Sequence, residues 1–525
     1  MRRYPTLRIV WEAGRRVKHR QDDLHHSAPI LYRIAPRTVR IERQAERPKL
    51  NIPFRILTLL VPLAGCAVGP DYVRQDPAAP ANWSDSSGMR VSQQREDISH
   101  WWQRLQDPLL NDLIETALRN SPDLRGARAK LLESRARLNL SDADFMPGLN
   151  GALAASRSKT GNASPADQFS AGFDASWELD LFGGLRRANE AAAADAGATL
   201  ANLYGTQVSL AAEVALNYVQ LRSLQERLAI ARSNLAAQRE TLQITEWRAE
   251  AGLVTSMEVE QAKGNLQQTL AGIPALATSL TRAENRLAVL LGQFPATLHA
   301  QLNTPAVLPP LPDEVALNIP ADTLRQRPDV QAAERRLAAE TARIGQATAA
   351  RYPSFSLGGS LGWRATTVGA LGDSSSLARS VSASLAQTIF DGGRLRSRVD
   401  AQNAVQQQAL IAYEKTVLLA LEEVENALAG YANGHERRAA LQEAVASARS
   451  AALIARQRYA SGLIDFRSVL DTDRTLLSSE DNLAGAELDE RSALISLYKA
   501  MGGGWNEGAA TARVMQTKTD ESSRP

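Results

Sequence analysis

One stretch constrains this chain more than any other. Phe169, Ala171, Phe173, Ala175, Trp177, Leu179 and Leu181 alternate with Ser170, Gly172, Asp174, Ser176, Glu178 and Asp180. Alternation of period two reads as a β-strand with one apolar and one wet face. At roughly a dozen residues the strand is long enough to cross a bilayer at a tilt, which takes about 9–11. Phe182-Gly183-Gly184 ends it. A helical pattern of roughly 60 residues then begins. An ordinary sheet with one solvated face would give the same alternation; a very long helix directly after it is the unusual part.

The pairing occurs twice. Val381, Ala383, Leu385, Gln387 and Ile389 alternate with Ser380, Ser382, Ser384, Ala386 and Thr388, and Phe390-Asp391-Gly392-Gly393 leads into a second long helical pattern. Each of these strands is preceded by another, near 149–158 and 354–364. Phe355, Leu357, Leu361 and Trp363 alternate there with Ser356, Gly358, Ser360 and Gly362. Upstream, Pro122 and Pro328 each open a helix in its first turn.

In the long helices Leu210, Val214, Asn217, Leu221, Leu224, Leu228, Ala231 and Leu235 step by four and three, as do Val417, Leu421, Val424 and Leu428. A sustained step of this kind is a coiled-coil seam. The spacing predicts a first helix over 186–249 and a return helix to about 291, kinked at Pro274. Gly252-Leu253-Val254-Thr255 and Gly462-Leu463-Ile464-Asp465 turn the two hairpins, and Gly292 and Gly502 end them; the offset is 210 residues at both places. Four prolines between 305 and 312 predict an irregular connector over 295–320.

Charge is unevenly placed. Residues 1–50 carry 13 Lys/Arg and 5 Asp/Glu, net +8 against +3 for the whole chain, so the remainder is acidic at −5. No basic stripe runs through the folded part, which argues against nucleic-acid binding. The six histidines show no metal or triad spacing, and no nucleophile–base pair or phosphate loop points to an enzyme. The single cysteine, Cys66, excludes an intrachain disulfide. It follows basic Arg47, Lys49 and Arg55 and the apolar run Ile56 to Leu63, too short for a transmembrane helix. The expected segments are a basic arm over 1–45 (disordered, or an over-extended start), a leader over 46–65, a first repeat over 66–294, the connector, a second repeat over 321–504, and a disordered tail over 505–525.

Four candidate membrane strands cannot close a barrel, since the smallest have about eight. Open edges are not tolerated in hydrocarbon. Several chains must therefore share one barrel; strand arithmetic fixes a multiple of four and leaves the number of chains open.

Leu63-Ala64-Gly65-Cys66 resembles a bacterial lipobox, and Gly69-Pro70-Asp71-Tyr72 follows it. With the repeat, the Phe-(Asp)-Gly-Gly strand ends and the Gly-Leu helix tips, residues 66–505 resemble the outer-membrane factor (TolC-like) family, and within it the outer-membrane lipoproteins of multidrug efflux systems. The resemblance implies an α+β fold: a homotrimer whose 12-stranded barrel, four strands per chain, continues into a long α-helical periplasmic tunnel. It also implies diacylglycerol and an N-acyl chain on Cys66, no other cofactor, a periplasmic adaptor docked at the tips of residues 252–255 and 462–465, and an inner-membrane pump of the resistance-nodulation-division type.

Arg467, Asp471 and Arg474 share one face at i, i+4 and i+7. The resemblance makes them rings of charge at a periplasmic gate, although Arg467 stands where the family pattern leads one to expect an apolar residue. Asp174, Glu178, Asp180 and Arg364 are expected to face the barrel lumen and set a weak ion preference. Trp177 and Trp363 are candidates for the lipid interface. The function implied is passive exit of drugs or other toxic compounds. The same architecture would also serve type I protein secretion. A non-channel coiled-coil lipoprotein would leave the four strands unexplained.

Overall fold

The computed structural model describes residues 67–74, 79–84, 91–92, 97–162, 164–312, 314–316 and 319–505. The basic arm, the leader, Cys66 and the tail beyond Trp505 lie outside the described residues.

Elements follow the chain as β1 (Val91–Ser92), α1 (Pro108–Asn120), α2 (Pro122–Ala143), β2 (Gly148–Ser158), β3 (Ala166–Leu179), α3 (Gly184–Glu250) and α4 (Ser256–Leu290), then α5 (His299–Leu302), β4 (Val315–Ala316), α6 (Pro320–Gln326), α7 (Pro328–Ala349), β5 (Ser354–Ala365), β6 (Leu377–Ala386), α8 (Arg394–Ala460) and α9 (Phe466–Ala500). The succession in the two halves matches. Helices α3 and α8 have 67 residues each, α4 and α9 have 35 each, and α2 and α7 have 22 each. At ~1.5 Å per residue, α3 and α8 each extend for ~100 Å.

The strands form one antiparallel sheet in the order β2-β3-β5-β6. Its register places Ser176 opposite Gly148 and Gly358, and Phe173 opposite Gly151 and Leu361. The hairpins are thus joined through β3 and β5, which leaves β2 and β6 as the two edges. A centre of small residues lets β3 and β5 approach: a Cβ on Gly362 would lie 2.5 Å from the Ala171 carbonyl oxygen and 2.6 Å from the Gly172 Cα.

The principal core lies where α1 packs on α3. Leu110, Ile114, Tyr218 and Leu287 are fully buried there, and Trp101 stacks on Tyr498 with ring centres 5.3 Å apart. The seam residues Leu210, Val214, Leu221, Leu224, Leu228 and Leu235 of α3 are buried as their 4-3 step requires. Asp107 caps α1, accepting from the backbone N–H groups of Leu109 and Leu110 at 3.0 and 3.1 Å.

Two details differ from the sequence expectations. Strand β6 stops at Ala386 rather than continuing to 390, because its partner β5 begins at Ser354 and Pro353 before it has no N–H to extend the ladder. The connector is not wholly irregular: it holds α5 and the strand β4, which pairs in parallel with β1.

Candidate functional site: a barrel sector and a charged helix tip

The register sorts side chains cleanly between the two faces of the sheet. Asp174 lies opposite Asn150 and Ser360, Glu178 opposite Ser356, and Arg364 opposite Ser170, so these three charges share one face. On that face Ser356 and Ser384 hydroxyls meet at 2.6 Å, and Ser360 and Ser380 at 2.7 Å. The other face carries Leu149, Leu153, Phe173, Trp177, Leu361, Trp363, Val381 and Leu385, all exposed in the single chain. Val381 reaches 93% and Leu153 87%. An apolar band of this extent is the mark of a surface meant to be covered, by protein or by lipid.

Asp180 does not join the polar face. It lies beyond the end of β3, and its carboxylate accepts from the backbone N–H groups of Leu185 at 3.1 Å and Arg186 at 2.9 Å. It caps the first turn of α3 instead of lining a lumen. Asp391 does the same for α8, accepting from Gly393 and Leu395. Period-two alternation put Asp180 in the strand; the Phe-Gly-Gly after it was the signal that the strand had already ended.

Aromatic groups collect at the helix end of the sheet. The Trp177 indole N–H donates to the Phe145 carbonyl at 2.9 Å, and Phe182 stacks on Tyr352 at 4.9 Å. The arm following residue 66 is tied down at this level. The Val68 N–H donates to the Phe182 carbonyl at 3.1 Å, and the buried Arg187 guanidinium donates to the Val68 carbonyl and to Asp71 at 2.6 Å. Ala67 packs so closely on Gly183 that a Cβ there would fall 2.7 Å from the Ala67 Cα.

At the far ends of the 67-residue helices, the hairpin tips have matching geometry. Gly252 and Gly462 take φ of 70° and 75°, the left-handed conformation that closes a helix. The N–H groups of Leu253 and Leu463 return to the carbonyls of Arg248 and Arg458 at 2.8 and 2.9 Å. Leu253 and Leu463 are exposed, and Val254 and Ile464 half-buried. Thr255 stands at the N-cap of α4 without a side-chain bond, whereas Asp465 caps α9 through the Ser468 N–H at 3.0 Å. The Ser468 hydroxyl, and after it that backbone bond, hold the Asp465 carboxyl below its usual range.

Arg467, Asp471 and Arg474 all lie exposed along one face of α9, with Arg467 and Asp471 4.0 Å apart. The opposite face is the seam, where Val469, Asp473 and Leu476 are buried. Asp473 pairs with Arg456 of α8 at 2.8 Å, and burial still pushes its carboxyl up against the pull of that guanidinium. Beside the pair, Tyr459 binds the two hairpins together. Its hydroxyl donates to Thr245 at 3.1 Å, its ring lies 4.4 Å under the Arg248 guanidinium, and Arg248 donates to its carbonyl.

None of Asp473, Arg456, Tyr459, Thr245 and Arg248 stood out in the sequence. The only available signal was the 4-3 step, which places Asp473 at i+4 from Val469 and therefore in the seam.

The chain matches a family model described as outer membrane efflux protein, over residues 113–293 and 319–503. It is 31% identical over 465 residues to the toluene efflux pump outer membrane protein TtgF of Pseudomonas putida, covering 86% of this chain and 96% of that one. It is likewise 31% identical over 460 residues to the cation efflux system protein CusC of Escherichia coli, covering 87% and 100%. The solved structure of the outer-membrane channel OprN superposes with a TM-score of 0.79 at 38% identity, covering 84% of this chain and all of that one. This chain belongs to the outer membrane efflux protein family and is an outer-membrane efflux channel that extends into the periplasm.

Proposed function

We propose that three copies of this chain close their sheets into one 12-stranded barrel and their helices into a periplasmic tunnel. The assembly is the passive exit duct of a tripartite system, which carries drugs or other toxic compounds from an inner-membrane pump and a periplasmic adaptor to the outside. The observation that carries this reading is the sheet itself: four strands, two unpaired edges, an apolar face left bare and a polar face bearing Asp174, Glu178 and Arg364. Neither edge is stable in hydrocarbon, and edge-to-edge closure satisfies both at once. Exposed Ile411, Leu418 and Leu453 on α8 find cover in the same assembly.

The partners are those that the family resemblance implies, and the efflux-pump relatives support them. Adaptor hairpins dock at the tips, 252–255 and 462–465. The pump is of the resistance-nodulation-division type. Arg467, Asp471 and Arg474 ring the axis as a gate at the mouth. Cys66, acylated, sits in the inner leaflet beside the barrel. One relative is named for toluene and another for cations, although they match this chain over 465 and 460 residues at equal identity. Ligands that unlike do not share a binding pocket, which supports selection by the pump rather than by the duct.

The test is direct. Purified protein in detergent should show the mass of three chains and, in planar bilayers, conduct ions. Loss of the gene should sensitise the cell to compounds exported by the pump. A monomer that is soluble without detergent and does not conduct would overturn the reading.

A further inference from the structure

The apolar face of the sheet is interrupted by three charges. By register, Arg157 on β2, Asp167 on β3 and Arg379 on β6 fall on the same side as Leu153, Phe173 and Val381. All three lie toward the end of the sheet remote from the long helices. Arg157 is one residue from the end of β2, and Arg379 is two residues from the start of β6. Arg157 and Asp167 neutralise one another across the strand pair at 3.2 Å, with Arg157 72% exposed. Arg379 is exposed opposite Leu361. Among the described residues no ion pair or hydrogen bond involves its side chain.

A lone guanidinium on the lipid face of a barrel is destabilising at mid-membrane and near neutral at the interface. It becomes favourable where a phosphate meets it, since the planar fork of arginine binds phosphate oxygens in pairs. The arginines stand on the two edge strands. Closing the barrel sets β6 of one protomer beside β2 of the next, so Arg379 and the neighbour's Arg157 flank one seam.

We propose that this seam binds a phosphate of an outer-leaflet glycolipid, with its acyl chains lying along the apolar band. The proposal rests on the barrel reading given above. It adds a ligand site to the outer wall of the barrel, apart from the lumen and the gate. The lipid fills the join between protomers, where each edge strand meets a foreign one, and holds it from outside.

The experiment uses the detergent-purified, conducting assembly, which establishes the barrel before the lipid question is asked. Native mass spectrometry and thermal dissociation are followed with bisphosphorylated lipid A, with dephosphorylated lipid A and with phosphatidylethanolamine. The expected result is retention of the phosphorylated lipid and a higher dissociation temperature with it alone. Arg379→Gln should weaken retention by roughly tenfold, as loss of one charge-assisted contact implies, and leave conductance unchanged. Arg379→Lys should keep part of the binding. Equal retention of phosphorylated and dephosphorylated lipid A by the wild-type assembly would overturn the proposal whatever the variants do, and so would unchanged retention by Arg379→Gln. A protein that fails to assemble or conduct would instead sink the channel reading beneath it.

Discussion

Asp473 occupies a seam position that an apolar residue would fill at no electrostatic cost. Only 5% of its side chain is exposed, and Arg456 lies 2.8 Å away, yet burial outweighs that attraction and leaves the carboxyl easier to protonate than in water. The sign of the consequence is fixed. A carboxyl whose folded pKa is raised makes the folded state bind its proton more tightly than the unfolded one. Its ionisation therefore costs stability above the folded pKa, and the cost fades as pH falls through that value toward the unfolded one. Buried pairs of this sort are often replaceable without loss when both partners are exchanged for apolar residues together, whereas removing one alone strands the other. The double variant Asp473→Leu with Arg456→Met should accordingly leave the thermal midpoint at neutral pH unchanged or higher. Any advantage over wild type should shrink on acidification. A midpoint many degrees lower for the double variant at neutral pH would mean that the ion pair, rather than its burial, dominates. The variant also separates Asp473 from Asp471: the buried residue answers in stability, the exposed one in conductance.

At the scale of the element, α9 shows two faces with two tasks. Val469, Asp473 and Leu476 close the seam to α8, while Arg467, Asp471 and Arg474 project away from it. Three copies about an axis would place the Asp471 carboxylates near one another, where like charges repel and opposite charges from Arg474 hold them together. Asp471→Ala or Arg474→Ala should raise single-channel conductance in planar bilayers. Conductance equal to wild type in both variants would remove these residues from the gate. This division of α9 was half legible in the sequence. The i, i+4, i+7 spacing identified the exposed charged face, because helical periodicity is local. The partner of Asp473 was not, because Arg456 belongs to another helix and no local pattern names it. The strands show the same limit. Alternation found all four and placed Glu178 with Asp174, but ran past the true end of β6, which is set by Pro353 just ahead of a different strand. It also put Asp180 in the strand, although hydrogen bonds to the start of α3 govern it. What depends on one element's own period can be read in advance; what depends on a neighbour across the sheet or bundle cannot.

For the molecule as a whole, the open question is what a lipid on Cys66 adds to a protein that already carries a barrel. The chain enters the described structure at Ala67, against Gly183 and level with Phe182, Tyr352 and Trp177 at the base of the sheet. Cys66 directly precedes Ala67 in the sequence. Acyl chains attached there would enter the inner leaflet alongside the barrel wall, and each buried CH₂ would contribute ~0.8 kcal/mol of membrane affinity. Twelve strands with an apolar face would bury far more than that, which would make such a lipid redundant as a tether once the proposed barrel had closed. Its effect would then fall earlier, when the unassembled chain has open edges and a bare apolar face in the periplasm. Arg187 and the Val68–Phe182 bond hold the arm in place without help from the lipid. Cys66→Ser should therefore lower the amount of protein reaching the outer membrane, while the fraction that arrives assembles and conducts like wild type. Intact-mass measurement of the wild-type protein should show the added acyl groups. An unmodified wild-type mass would remove the anchor, and a Cys66→Ser protein that reaches the membrane in full yet cannot assemble would show that the acyl chains act on the finished barrel rather than on its delivery.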